Sequence, residues 1–569
     1  MTMMSGAQML VRTLEDLGVE YLFGYPGGAV LDIYDALHDS KKIHHVLGRH
    51  EQAVAHAADG YARVTGKTGV ALVTSGPGAT NTVTAIATAY MDSVPLVVIT
   101  GQVGTPLIGS DAFQEVDTIG ITRPIVKHSY LCQKALDIPK YLRQAFYLAS
   151  SGRPGPVVVD VPKDCVRPSV KFEYPEPEPV VMQSYNPAKA GHRGQIRRAS
   201  KLLAEAKRPV LMVGGGAVSS GASDRIRAIA KAFRLPVTAT LMGLGVYPGT
   251  DEQFLGMLGM HGTYEANMAM DKADLVLAVG VRFDDRVTNN VEKFCPAAKI
   301  IHVDIDPASI SKTVTADIPI VGDADTVMGQ FMDAISEQNL SCDEQAMDYW
   351  WKEISRWRST DCLAYAKDPK LMKPQQIIEA IYKATGGDAV IVTDVGQHQM
   401  FSAQYYKFDK PRSFLSSGGL GTMGYGFPAA IGAWVGERER PICLITGDGS
   451  FQMNIQELST CKQFHIPVKI FLLDNHTLGM VHQWQMMFYR GRISWTDLND
   501  NPDFVAVAKA YGHEGIYEDD PARLDEAVER TLAMKDKLVI CDLRCDTEAK
   551  VMPMQQMGGS MSDMFISGE

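Results

Sequence analysis

Residues 447–475, GDGSFQMNIQELSTCKQFHIPVKIFLLDN, combine hard oxygen donors with a glycine turn. An apolar run, Ile442 to Ile445, leads into Gly447-Asp448-Gly449, and a second, Val468 to Leu473, ends at Asp474-Asn475. With a helix-length segment between them, this spacing puts Asp448 and Asn475 at the C-terminal ends of two strands, where open α/β sheets take up ligands. The Asp448 carboxylate and the Asn475 amide oxygen suit a Mg²⁺ ion that also holds substrate phosphates. Gly449 and Ser450 are expected to open the intervening helix, whose free N–H groups can meet a diphosphate. A bare GDG turn also serves an ordinary βαβ crossover; the Asn at the end of the next strand adds the metal chemistry.

A second candidate is Glu51, in Arg49-His50-Glu51-Gln52 ahead of a small-residue helix over 53–62. By itself it reads as a solvated carboxylate at a helix N-terminus, where negative charge is favoured. Partly desolvated, the same carboxyl would hold a proton near neutral pH and could serve acid–base chemistry.

The elements that must position these groups fall into three α/β blocks. In the first, the strand Gly69 to Ser75, the turn Gly76-Pro77-Gly78-Ala79-Thr80-Asn81, a helix to Tyr90 and the strand Leu96 to Thr100 make a parallel-sheet unit. The second contains Val210 to Val213, the turn Gly214-Gly215-Gly216, a helix, and strands near 236–240, 275–279 and 300–304. The third carries the GDG segment. The fold expected is α/β, with three doubly wound parallel-sheet domains over 1–172, 189–336 and 373–569. The Pro-rich stretch 173–188 and the polar stretch 337–372, with helical patches, read as linkers. The first and third blocks share a Gly-rich turn style, TSGPGATN and SSGGLGTMGYG.

Composition narrows the class. The 569 residues suffice for three or four domains, and 46% hydrophobic with 21% charged residues is typical of a soluble globular protein. A net charge of −11 without basic clusters argues against a nucleic-acid surface. No apolar run reaches membrane-spanning length, and the N-terminus enters a helical pattern at Ser5 without a leader peptide. Nine scattered cysteines without a CxxC pair point to reduced thiols and a cytoplasmic location; Cys541 and Cys545 have no metal-type His partner.

The GDG…Asn pattern resembles the thiamine-diphosphate motif, with Asp474 where that motif usually has a first Asn. Further segments make the resemblance specific: FGYPGGAVLDIYDAL (23–37), RHEQ (49–52), TSGPGATN (74–81), DAFQE (111–115), SGRPGPVVVDVPKD (151–164), LGMLGMHGT (255–263), VGVRFDDRVT (279–288), DVGQHQM (394–400) and LGMVHQWQ (478–485). In order and spacing, from about Ser5 to Asp546, they are similar to the catalytic subunit of acetohydroxyacid synthases of the biosynthetic, FAD-containing type.

The resemblance implies an enzyme that decarboxylates pyruvate on thiamine diphosphate. It would pass the two-carbon unit to pyruvate or 2-ketobutyrate, on the way to valine, leucine and isoleucine. Glu51 would activate the cofactor. Gly27, Gly28, Phe113, Gln114 and Lys163 would line the reaction cavity, although Lys163 also reads as a surface lysine after a strand. Val395, Gly396, Gln397, His398, Gly421 and Met423 would hold the cofactor, with Met423 beneath its bend. Asp448, Asn475 and the Thr477 carbonyl would be the Mg²⁺ ligands, and Gly449 and Ser450 would meet the diphosphate. Leu478, Gly479, Met480, Val481 and Trp484 would form a lid.

Flavin contacts are implied for Arg153, Gly214, Gly215, Gly216, Thr240, Met260, His261, Gly280, Arg282, Asp284, Asp285, Asp304, Ile305 and Asp323. The GGG turn alone is a weak nucleotide signal, being short of GxGxxG. Arg286 would bind the acceptor's carboxylate in a bidentate fork, and Trp484 would wall its alkyl group, unless that tryptophan belongs to an interface core. The implied assembly is a homodimer or homotetramer, with a small regulatory subunit as a further partner. Three rivals stay open: an FAD- and thiamine-dependent pyruvate oxidase, a simple decarboxylase, and a non-catalytic scaffold that kept the fold.

Overall fold

A computed structural model of the chain describes residues 2–566. Its frame is three six-stranded parallel sheets. The first holds β1 (Tyr21–Gly24), β2 (His44–Leu47), β3 (Gly69–Val73), β4 (Leu96–Gln102), β5 (His128–Leu131) and β6 (Pro156–Pro162). The second holds β7 (Pro209–Val213), β8 (Val237–Ala239), β9 (Phe254–Met257), β10 (Leu275–Val279), β11 (Lys299–Asp304) and β12 (Ile318–Val321). The third holds β13 (Val390–Thr393), β14 (Phe414–Leu415), β15 (Ile442–Gly447), β16 (Lys469–Asp474), β17 (Glu514–Glu518) and β18 (Val539–Arg544). β-Branched runs such as Val97-Val98-Ile99 and Val157-Val158-Val159 are fully buried, because helices cover both faces of such sheets.

Strand order sorts the three sheets. The first runs β2-β1-β3-β4-β6-β5 and the third β14-β13-β15-β16-β18-β17, the same topology. The second runs β9-β8-β7-β10-β11-β12. The shared turn style of the first and third blocks therefore accompanies a shared strand order. Each sheet has one switch point, between β1 and β3, between β7 and β10, and between β13 and β15. Crossovers leave in opposite directions there and open a crevice at the strand C-termini.

Six helices matter for the site: α1 (Glu51–Thr65), α2 (Val83–Asp92), α3 (Gln397–Tyr405), α4 (Gly426–Gly436), α5 (Asp448–Gln452) and α6 (Gly479–Phe488). α1 and α4 lock the first sheet's domain to the third's. Small residues let the two backbones touch: a side chain at Gly60 would strike the Ala429 carbonyl, and one at Gly432 the Ala57 carbonyl.

The stretch 174–190 forms neither helix nor strand. The polar stretch 337–372 instead contains a helix, Glu344–Arg358, that buries Met347, Trp350 and Ile354. Trp350 Nε1 donates to the Pro209 carbonyl at 3.1 Å, at the start of β7, so this stretch packs on the middle sheet. Its many charged residues lie on the other face and hide that stripe from a composition reading.

Buried neutral histidines give the fold an acid limit. His45 and His261 are lowered to about 4, and His56 and His398 to about 3, in every case chiefly by burial. His56 lies on α1 with its ring edge-on to Tyr425 at 5.3 Å, and neither ring nitrogen has a protein hydrogen-bond partner. Because its folded pKa is depressed, the unfolded chain takes up a proton below about pH 6.5 that the folded chain refuses. Its stability contribution is therefore complete above that pH and is lost as pH falls toward about 3. His56→Phe keeps the ring contact and removes the titration. We expect the fall in stability between about pH 6.5 and pH 4 to be shallower than wild type by about 1.4 kcal/mol per pH unit, read from urea unfolding. An unchanged slope would show that His56 is not held neutral.

Candidate functional site

The switch crevice of the third sheet gathers most of the residues expected to hold a diphosphate. β13 delivers Val395, Gly396, Gln397 and His398. β15 delivers Asp448, which opens α5 one residue earlier than the sequence suggests, with Gly449 and Ser450 behind it. β16 delivers Asn475, Thr477 and the start of α6. Met423, Leu478, Gly479 and Met480 complete a cavity of about 60 Å³ whose walls all come from Pro374 to Cys545.

Its electrostatics favour a cation. The Asp448 carboxyl is buried and pushed up to about 7, first by burial and then by Asp474. Asp542, on β18 beyond Asp474, is pushed up to about 8 by burial, Asp474 and Asp448, and its Oδ1 has no partner. Asn501 Nδ2 donates to Asp448 Oδ2 at 2.7 Å and lies 3.4 Å from Asp474 Oδ1. A divalent cation would offset this concentration of buried carboxyls. Asn475 Oδ1 accepts from the Thr477 amide at 3.1 Å, so the Asn475–Thr477 turn is already folded back toward the crevice. The His398 ring packs over Gly396 and Gly447, and its Nε2 is buried without a partner. Such an orphaned polar atom, beside the α5 N-terminus, fits a phosphate oxygen. Donor set and cradle thus fit Mg²⁺ and a diphosphate.

The residues expected from the first block sit elsewhere in the chain. Glu51 is the first residue of α1, and its Oε2 accepts from Asn81 Nδ2 at 2.9 Å. Gly27 packs on Thr74, and Gly78 approaches Glu51 Oε1, so Glu51 faces the switch crevice of the first sheet. Gly28 has open space where a side chain would be. Gln114, at φ 58°, covers Gly76 with its backbone. Lys163 is exposed after β6; Asp164 beside it accepts the Thr105 amide at 2.9 Å, which ties Lys163 to the 105–115 loop. Phe113 on that loop is 88% exposed. None of these residues lines the diphosphate cavity. Asn81 belongs to the TSGPGATN motif, but nothing in that motif signals its bond to Glu51.

A second cavity, about 2030 Å³, lies where all three domains meet. It brings together Arg153, Gly215, Gly216, Thr240, Met260, His261, Gly280, Arg282, Asp284, Asp285, Asp304, Ile305 and Asp323, with Arg286, Gly421 and Trp484. Gly214 is left out: a side chain there would strike the Gly280 carbonyl, so it serves the tight fit of β7 against β10. Gly280, at φ 63°, abuts Gly216 and presents bare backbone at the middle switch point. Asp304 at the end of β11 is pushed up to about 6 by burial. Size, backbone cradle and switch-point position fit a dinucleotide. Arg286 is largely exposed; its Nη1 lies 3.3 Å from Met260 Sδ and its Nη2 3.5 Å from Asp285. Trp484, half-buried on α6, stacks edge-on to Phe488. Met480 and Val481 line both cavities and form the boundary between them.

Comparison with known proteins agrees with this geometry. The N-terminal TPP binding domain of thiamine pyrophosphate enzymes matches residues 4–121, their central domain 196–331 and their C-terminal TPP binding domain 394–543. The chain is 56% identical over 567 residues to the acetolactate synthase large subunit of Haemophilus influenzae, covering 100% of this chain and 99% of that one. It is 56% identical over 569 residues to the acetolactate synthase isozyme 3 large subunit of Escherichia coli, with the same coverage. The chain belongs to the acetolactate synthase large-subunit family. A more distant member, the acetolactate synthase of Mycobacterium bovis, is 46% identical over 566 residues, covering 99% of this chain and 91% of that protein. Like the rest of the acetolactate synthase family, the chain is a thiamine-diphosphate enzyme. Among the described residues no helix is long and apolar enough to cross a membrane. Among the described residues no two cysteines are joined in a disulfide.

Proposed function

We propose that this enzyme joins pyruvate to a second 2-ketoacid, giving 2-acetolactate from pyruvate or 2-aceto-2-hydroxybutyrate from 2-ketobutyrate. The observation that carries the acceptor half is Arg286 and Trp484 lining one cavity, next to the diphosphate crevice across Met480 and Val481. Thiamine diphosphate supplies the electron sink for loss of CO₂. The chain's own groups do the rest. The Gly449 and Ser450 amides and His398 hold the phosphates, with Mg²⁺ on Asp448, Asn475 and Thr477. Glu51 holds a proton at the cofactor's ring nitrogen. Arg286 grips the acceptor carboxylate, and α6 keeps water away from the reacting carbon. FAD would occupy the larger cavity without a net redox task.

Glu51 belongs to the first domain and does not line the diphosphate crevice of the third, which supports a site assembled between two copies, in a homodimer or tetramer. The domains we assign are 1–172, 189–336 and 373–569. The large-subunit names of the relatives support a small regulatory partner, and the scattered cysteines without a CxxC pair a cytoplasmic location.

The deciding experiment is product analysis with pyruvate, with and without 2-ketobutyrate, in the presence of thiamine diphosphate, Mg²⁺ and FAD and without an electron acceptor. Acetolactate alone, then mostly acetohydroxybutyrate, is expected. Acetaldehyde as the product, or turnover only with an added electron acceptor, would overturn the reading in favour of a decarboxylase or an oxidase. One methylene in an apolar pocket is worth about 1–3 kcal/mol, so 2-ketobutyrate should be preferred by roughly tenfold or more. Trp484→Leu should remove most of that preference and leave acetolactate formation active. An unchanged product ratio in competition would exclude Trp484 as the selectivity wall.

A further inference from the structure

The segment Ser416–Gly424 is a partition. Ser417 to Gly421 line the larger cavity and Met423 the smaller one. Its seat comes from the first domain. Asp92, the last residue of α2, has a fully buried carboxylate. Two consecutive backbone donors meet it: the Gly418 amide reaches Oδ2 at 2.9 Å and the Gly419 amide reaches Oδ1 at 2.7 Å. Arg63 Nη2 donates to the same Oδ2 at 2.9 Å, its Nη1 to the Ser416 carbonyl at 2.9 Å, and its Nε to Asp59 Oδ1 at 2.6 Å. Thr88, one turn earlier on α2, bonds Thr422 hydroxyl to hydroxyl at 2.7 Å.

The residues flanking Asp92, which with it line the larger cavity, bond two arginines. The Met91 carbonyl accepts Arg282 Nη1 at 2.6 Å, and Ser93 Oγ accepts Arg153 Nε at 2.8 Å. Both arginines line the larger cavity. One three-residue stretch thus holds the partition on its carboxylate and the cavity's arginines on its neighbours.

We infer that Asp92 is a positioning residue for the diphosphate site, seating Gly418 and Gly419 so that Met423 keeps its place in the cofactor wall. This rests on the reading of the smaller cavity as the thiamine diphosphate site. Buried charge-assisted bonds to two adjacent amides define position better than apolar packing, because a small shift leaves charge and donors unpaired. No sequence motif marks Asp92; only the fold brings it to residues more than three hundred positions away.

Asp92→Asn keeps the shape but turns an NH₂ group toward one of three donors, so at least one bond is lost. Gly419→Ala retains every charge, yet its new methyl meets Asp92 Oδ1 at 2.9 Å and Met91 Cβ at 3.0 Å, which pries the partition off its seat. For each variant of the full chain we would titrate thiamine diphosphate with Mg²⁺ and follow amide hydrogen exchange over 416–424. Each should weaken cofactor binding by about tenfold or more, with a smaller loss of kcat at saturation and faster exchange in the segment. Because both act through one contact, the double variant should lose less than the product of the two single losses.

Wild-type cofactor affinity in both variants, or multiplicative losses, would overturn the inference. If Asp92→Asn does not fold, Gly419→Ala decides alone. Asp448→Ala is the control: should it leave cofactor binding intact, the site reading fails, whereas its loss of binding beside unaffected Asp92 and Gly419 variants would sink the positioning role alone.

Discussion

Glu51→Gln should lower kcat by roughly 10²–10⁴ while thiamine diphosphate still binds within a few-fold of wild type. The argument is one of separation. The diphosphate crevice is built wholly from the third domain, whereas Glu51 stands at the start of α1 in the first. Its Oε2 accepts from Asn81 Nδ2 at 2.9 Å, which fixes the carboxyl against the GPGATN turn. Gln keeps the length of the side chain and its oxygen can still accept from Asn81. Its amide cannot take up and release the proton that a carboxyl shares with a ring nitrogen. Steady-state kinetics and a cofactor titration on the same preparation separate the two effects. Near-normal turnover would remove Glu51 from the chemistry, and loss of binding in parallel with turnover would make it an anchor. Asn81→Ala should produce a milder fall, since it loosens the carboxyl without deleting it.

Much of the architecture is legible in the sequence. The apolar runs at 69–75, 96–100, 210–213, 275–279, 300–304, 442–445 and 468–473 coincide with β3, β4, β7, β10, β11, β15 and β16 to within two residues, because strands buried on both faces leave continuous Val/Ile/Leu segments. The segment after GDG was harder. It breaks into α5, a 3₁₀ turn at Ile455–Glu457 and a helix at Leu458–Phe464, and nothing in its periodicity marks the breaks. In the polar stretch 337–372 the helical pattern is legible, but charge on the outer face of helix Glu344–Arg358 hides the buried stripe of Met347, Trp350 and Ile354. Within the site, residues that reach across one crevice by short loops were legible from motif spacing. The long-range groups were not. Asp92 under Gly418, Asn501 on Asp448, and Asp542 behind Asp474 come together only through the tertiary fold, from the end of helix α2, a loop and the middle of β18, and their local sequence carries no signature. Lys163 shows the converse: the sequence left cavity and surface both open, and in one chain it is exposed.

Asp448→Asn should have opposite effects on the empty and the loaded protein. In the empty protein the Asp448 carboxyl is buried beside Asp474 and Asp542, and the raised values of Asp448 and Asp542 record how unfavourable charge is there. A neutral amide of the same shape relieves that repulsion and keeps an oxygen that can face Asn501 Nδ2. The cofactor-free variant should therefore unfold at a higher temperature than wild type. The loaded enzyme depends on the charge it has lost. Mg²⁺ needs carboxylate as well as carbonyl oxygen to replace its tightly held waters, and the amide supplies no net charge against the metal. Metal-dependent cofactor affinity should fall by about 10²-fold or more, and with it the stabilisation that binding confers, which grows with the logarithm of ligand over Kd. Melting curves with and without Mg²⁺ and thiamine diphosphate read both effects in one series: wild type shifts upward strongly on loading, and the variant starts higher and barely moves. A variant that starts lower and still shifts upward on loading would mean that Asp448 is a structural carboxylate and that the cation is held elsewhere.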